Sequence, residues 1–261
     1  ALTDDPTVVH VWGAWSPDGT RIAYASNARD RFHMDIHVME VATRQARCVY
    51  RGELFREVMA FFPDGQALLV RDSTRATMDQ DLFRLDLATG AYEPVLPHDG
   101  RARYVAAKTR KDGTGLYLLT DQGRDFVGIA FLSFAGGGLE WVVAPDGQDI
   151  EAMALSPDQD RLAYIVNEEG WNRLLIRDLG NGAEAAVAGL PPGVIGSASW
   201  RPDGSGLVFP LEGAATPPGI WSYDIAFGAA SSLTDAPTSE LVDGFVEPVV
   251  QHAASFDGLQ V

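Results

Sequence analysis

The sequence predicts an all-β fold, a β-propeller built from four-stranded antiparallel blades. Three observations lead there. A turn phrase recurs at a near-constant interval, short apolar segments follow each copy in the same order, and no long amphipathic helical pattern occurs between them.

The phrase reads "SPDG" at 16–19, "FPDG" at 62–65, "RKDG" at 110–113, "SPDQ" at 156–159 and "RPDG" at 201–204. From Pro17 through Pro63, Lys111 and Pro157 to Pro202 the intervals are 46, 48, 46 and 45 residues. Proline presets the backbone at the second turn position, aspartate tolerates the third, and glycine supplies the left-handed residue that launches the return strand. Gln159 stands where the other phrases have glycine, so the fourth turn is expected either to be strained or to change type.

After each turn comes an apolar strand: "RIAYAS", "ALLVRD", "GLYLLT", "RLAYIV" and "GLVFPL". Both faces of these segments are apolar, as expected of strands buried between neighbouring sheets. A third strand follows, closed by Glu40, Asp86, Asp178 or Asp224; the third unit, "VGIAFLSF", lacks that acid. The fourth strand is short and variable ("ARCVYRG", "YEPVLPH", "LEWVVAP", "AEAAVAG", "SSLTDAP"). Four such strands cannot bury both faces alone and must stack on neighbours. Residues 1–244 therefore form five recognisable repeats. "ALTDDP" at 1–6 is similar to the fourth-strand ending "SSLTDAP" at 231–237, so a preceding blade or blades and a parent ring of six or seven are expected.

Composition narrows the function. Apolar residues make up 46% of the 261 positions, enough for a large core, and the net charge is −16, from 36 acidic against 20 basic residues. That field repels a phosphate backbone, so nucleic acid is not an expected partner. Cys48 is the single cysteine, which excludes an internal disulfide and leans towards a reducing, cytoplasmic setting over the periplasm. The most apolar window, 126–144, carries four glycines and Glu140 and falls on two strands and a turn, so no membrane association is expected.

The chemistry-bearing motifs are sparse. No G-x-S-x-G elbow, H-E-x-x-H, P-loop or dinucleotide fingerprint occurs, so no catalytic residue and no cofactor is assigned. "FAGGGLE" at 134–140 reads as a blade loop. His33, Asp35 and His37 alternate along one strand and share a face, a donor set that suits zinc or manganese. The repeat offers a simpler reading, a solvated strand face, because Asp81 matches Asp35 while Asp79 and Phe83 replace the histidines. "NEEGWNR" at 167–173 places Glu168 and Glu169 beside Trp171 at a hairpin. Paired acids there suit a peptide's amino group, although the composition is also that of an ordinary polar turn. Trp15 and Trp200, with Phe62, precede their turns and read as core.

The segment "FVEPVVQHAASFDGLQV", 245–261, breaks the blade pattern. It resembles the connector by which prolyl oligopeptidase-family serine peptidases leave the propeller for the α/β-hydrolase domain: Glu247-Pro248, then Ser255-Phe256-Asp257-Gly258, ending at Val261. The blades, such as "GAWSPDGTRIAYASN", are similar to the bacterial acylaminoacyl-peptidase or dipeptidyl-aminopeptidase-like branch. The resemblance implies a parent that hydrolyses short peptides with a triad beyond Val261, and a propeller that gates entry to it. Its implied partners are that C-terminal hydrolase domain and short peptides. Some relatives hold the peptide amino terminus with propeller glutamates, which makes Glu168, Glu169 and Trp171 the candidate contacts. The blade phrase is also shared with TolB-like propellers, so a protein-binding scaffold without a hydrolase is the competing expectation.

Overall fold

The computed structural model describes residues 3, 5–53, 55–234, 244–246 and 248–258. Parts of the expected connector, including Glu247 and Val261, lie outside them. The described residues contain no helix, and thus none long and apolar enough to cross a membrane.

Among the described residues, twenty strands form five antiparallel sheets, each pairing its four strands in chain order. The first sheet is β1 (His10–Trp15), β2 (Arg21–Asp30), β3 (His33–Glu40) and β4 (Gln45–Tyr50); the second is β5 (Arg56–Phe61), β6 (Ala67–Ala76), β7 (Asp79–Asp86) and β8 (Tyr92–Pro94). The third comprises β9 (Tyr104–Thr109), β10 (Gly115–Thr120), β11 (Gly128–Ser133) and β12 (Leu139–Val143). The fourth has β13 (Ile150–Leu155), β14 (Arg161–Glu168), β15 (Trp171–Asp178) and β16 (Glu184–Ala186), and the fifth β17 (Ser199–Trp200), β18 (Gly206–Leu211), β19 (Gly219–Asp224) and β20 (Ala229–Ser232). The chain divides into two compact units, Ala1–Gly147 with three sheets and Gln148–Val261 with two.

Within the first unit, β6 shows why the second strands are apolar on both faces. Leu69 packs towards the third sheet with Phe62, Leu82, Tyr104 and Leu116, whereas Leu68 and Val70 pack towards the first with Ala23, Ile36 and Val38. Adjacent residues feed opposite layers because side chains alternate across a strand. In the second unit, Ala163, Ile165 and Leu174 meet Leu207, Phe209 and Leu211 in the same way.

The turns form as the phrase dictates. Gly19, Gly65, Gly113 and Gly204 have φ between 67 and 74°, and Gln159 adopts the same left-handed conformation at 64°. The fourth turn thus keeps its type and carries the strain. In all five, the turn aspartate accepts from the backbone N–H two residues on: Asp18 from Thr20, Asp64 from Gln66, Asp112 from Thr114, Asp158 from Asp160 and Asp203 from Ser205. The closing acids act similarly at the next hairpin. Asp86 accepts from Ala88 and Thr89, Asp178 from Gly180 and Asn181, and Asp224 from Ala226 and Phe227. In the third sheet Ser133 takes this place, its Oγ accepting from the Ala135 N–H.

Two details correct the sequence reading of the aromatic positions. Cross-strand pairing matches Trp15 with Ile22, Trp200 with Leu207 and Phe61 with Leu68, so Phe61, not Phe62, is the equivalent residue. Phe61 is buried and Trp200 half-buried, but Trp15 is 52% exposed and lies against exposed Trp12, ring centroids 5.9 Å apart. Equivalence along a repeat fixes the strand position; burial depends on what covers that face.

Candidate functional site

The first strand of four sheets carries a β-bulge. The extra residues are Gly13, Met59, Val105 and Glu151, spaced 46 residues apart. Bulges re-aim side chains at a strand's surface. In the first unit they help shape a groove of about 280 Å³ along β1, β5 and β9, lined by Trp12, Met59, Val105, Lys108 and the Glu57–Arg71 ion pair. Gly13 is obligatory there, because a Cβ on it would lie 2.6 Å from the Ala23 carbonyl oxygen and 2.6 Å from the Val58 Cβ. The groove presents apolar surface beside fixed charge.

In the second unit the bulge residue Glu151 is oriented from the candidate hairpin. Asn167 Nδ2 donates to its Oε1 at 2.8 Å and Asn172 Nδ2 to its Oε2 at 2.7 Å. Between those asparagines, Glu168 pairs with Trp171 across a two-residue loop of Glu169 (φ 54°) and Gly170 (φ 86°), a type I′ turn whose hand suits the strand twist. The Gly170 N–H donates to Asn167 Oδ1. Glu168 Oε1 is 3.4 Å from Arg173 Nη1, and Glu169 Oε1 is 3.5 Å from His252 Nε2. All four of these side chains are well exposed. The two glutamates are thus brought to one hairpin but meet different neighbours, Arg173 and the His252 ring, and Trp171 is half-buried beside them. Glu151 escaped the sequence reading; the signal was its 46-residue interval from the preceding bulge.

The histidine row separates. His33 Nδ1 contacts Asp30 Oδ1 at 3.0 Å across its own hairpin. Asp35 is buried and receives Arg29 through two parallel bonds, Nε to Oδ2 and Nη2 to Oδ1, both 2.8 Å, with the Gly52 N–H adding a third at 3.0 Å. Burial alone would raise its pKa, but the hydrogen bonds from Arg29 and Gly52 outweigh it and hold the carboxyl below its ordinary value. His37 stacks on Tyr24 with ring centroids 5.4 Å apart, and burial lowers its pKa. Across the β3–β4 ladder His37 faces Cys48.

No family model and no curated protein matches this sequence. Solved structures do. TolB from Acinetobacter baumannii aligns with 85% of this chain at TM-score 0.67 and 18% identity, the match covering 53% of that chain. Prolyl oligopeptidase B from Galerina marginata, bound to a 35mer hydrolysis and macrocyclization substrate, aligns with 95% at TM-score 0.75 and 16% identity, covering 37% of that chain. A Mycobacterium tuberculosis puromycin-hydrolyzing peptidase aligns with 97% at TM-score 0.75 and 18% identity, covering 42% of that chain. The chain therefore spans about half or less of the length of these proteins. At such identities the likeness defines the fold, and the five four-stranded meanders are those of a β-propeller, shared by the TolB and prolyl oligopeptidase structures.

Proposed function

We propose that this chain is the non-catalytic propeller domain of a serine peptidase of the prolyl oligopeptidase type, which admits short peptides to an active site in a C-terminal α/β-hydrolase domain following Val261. The observation that carries this reading is the segment after the fifth sheet. Within it, Val246 and Val249 are about four-fifths exposed and Phe256 is fully exposed, while the Gly258 N–H closes a turn on the Ser255 carbonyl at 3.0 Å. Apolar side chains held out along one segment are surface for another domain to cover. The "SFDG" wording of that turn and the 95% alignment onto an oligopeptidase more than twice as long support the same assignment.

In this reading residues 1–244 are the propeller and 245–261 lead to the hydrolase domain. The groove beside Trp12, Met59 and Val105 and the hairpin of Glu168, Glu169 and Trp171 are its peptide-facing surfaces, and the setting is cytoplasmic. The competing reading, a TolB-like scaffold that binds another protein, draws on the 85% alignment with TolB.

A fluorophosphonate probe separates the two. On the peptidase reading, the reading frame continues past Val261, and the full-length protein it encodes should be labelled while the 261-residue chain should not. A folded full-length protein that resists labelling, or a frame ending at Val261, would leave the scaffold reading in place.

A further inference from the structure

The five sheets give internal controls for one position. The residue three places before each closing position pairs with the residue eleven places later: Phe83 with Pro94, Ala130 with Trp141, Leu175 with Ala186 and Trp221 with Ser232. None of these pairs offers two metal-binding atoms. In the first sheet alone the pair is His37 and Cys48, and Asp35, two residues before His37, turns its carboxylate to the same place. The ligand atoms of Asp35, His37 and Cys48 lie within 4.8 Å of one another. We propose that Asp35, His37 and Cys48 form a surface binding site for a divalent ion of the zinc type.

The donor set fits that ion. Imidazole, thiolate and carboxylate are zinc's three common ligand types, and three protein ligands leave a fourth position for water. Cys48 is exposed, so the ion has an approach from solvent, and its thiol donates to the Tyr50 carbonyl at 3.5 Å. The other two ligands are held in place. His37 is fixed by its stack on Tyr24. The Asp35 carboxylate is gripped by Arg29 and Gly52: Oδ1 accepts two bonds and Oδ2 one, which leaves Oδ2 with a lone pair to donate. Arg29 is then the outer partner that orients a ligand, the arrangement that commonly surrounds metal-bound residues. On binding, the Cys48 S–H bond breaks, its proton passes to solvent, and the sulfur electron pair forms the bond to the metal. His33, engaged with Asp30, takes no part.

Cobalt(II) titration of the whole chain tests the site, because thiolate ligation gives a near-ultraviolet charge-transfer band that zinc(II) abolishes by displacement. One equivalent of cobalt should saturate the band and release one proton. Cys48→Ala should remove it, and His37→Phe, which installs the residue of the second sheet, should weaken binding at least about tenfold, the loss seen even for outer-shell changes. His33→Ala should leave affinity unchanged. Circular dichroism of the Cys48 variant, altered only at an exposed side chain, checks that the fold persists. Absence of the band, a band indifferent to His37→Phe, or zinc binding of equal strength in Cys48→Ala and the parent would overturn the proposal.

Discussion

The guanidinium of Arg21 donates to the carbonyl oxygen of Gly65, 2.9 Å away, tying the strand after the first turn to the turn of the second sheet. The second unit repeats the device, with Arg161 donating to Gly204 at 3.0 Å. Each arginine also lies over the aromatic residue that precedes the neighbouring turn, Phe61 at 5.6 Å and Trp200 at 4.9 Å. Replacing Arg21 or Arg161 by alanine should each cost about 1–2 kcal/mol, a charged hydrogen bond plus a partly solvated cation–π contact. Urea midpoints of the single variants measure this. Lysine at either site should recover only part of the loss, because it cannot both donate to the carbonyl and stack flat.

Gln159 gives the opposite sign. Its left-handed backbone places a Cβ where the four equivalent glycines have none. Gln159→Gly should stabilise the chain by up to about 1 kcal/mol, and Gly19→Gln should destabilise it by a similar amount. If Gln159→Gly lowers the urea midpoint instead, the side chain contributes more than its backbone strain costs.

How far these features were legible in the sequence follows from how local each one is. The turns are written in four consecutive residues whose backbone preferences act without help, so five phrases located five sheets. The bulges at Gly13, Met59, Val105 and Glu151 share no residue type; only their interval could have marked them. Cys48 belongs to the His37 site through an eleven-residue register that neither a strand nor a turn motif reveals. Trp15 was misread because its motif fixes a place on the strand, while its exposure depends on the surroundings of that face.

The turn aspartates make stability depend on acid. Hydrogen bonds from Ser16 and Thr20 hold the Asp18 carboxyl at about 2, and those from Arg110 and Thr114 do the same for Asp112, against an ordinary value of 3.8. Since the folded values lie below the unfolded ones, the contribution is complete above about pH 4 and disappears as the pH falls through 2. Melting temperatures recorded between pH 5 and pH 2 should drop less steeply for Asp18→Asn/Asp112→Asn than for the parent. Identical slopes would mean that these turns do not contribute to acid unfolding.

Gly13 and Val58 are coupled by contact. Alanine at 13 would press its Cβ against the Val58 Cβ and the Ala23 carbonyl, both 2.6 Å away, and should cost about 1–3 kcal/mol as an overpacked site. Val58→Gly removes the opposing Cβ and opens a void of its own, yet the double variant should be more stable than the sum of the two single losses, by about 0.5 kcal/mol or more. Strict additivity would show that the carbonyl alone enforces glycine.

The Glu168–Glu169 hairpin separates a stability effect from a substrate effect. Glu168 faces Arg173 in an exposed ion pair, an arrangement worth about 0–1 kcal/mol, Glu169 faces the exposed His252 ring, and Asn167 and Gly170 continue to shape the turn if the acids are neutralised. Glu168→Gln/Glu169→Gln should therefore leave the urea midpoint of the full-length protein nearly unchanged. If the hairpin receives a peptide's amino group, the same substitution removes a charge-assisted contact, and KM for peptides with a free amino terminus should rise by about tenfold, equivalent to about 1.4 kcal/mol. Peptides with an acetylated terminus carry no such charge, so their KM should stay constant. An equal change for both classes would identify a general distortion, and no change for either would assign the hairpin to the solvated rim and leave peptide contact to the groove beside Trp12, Met59 and Val105.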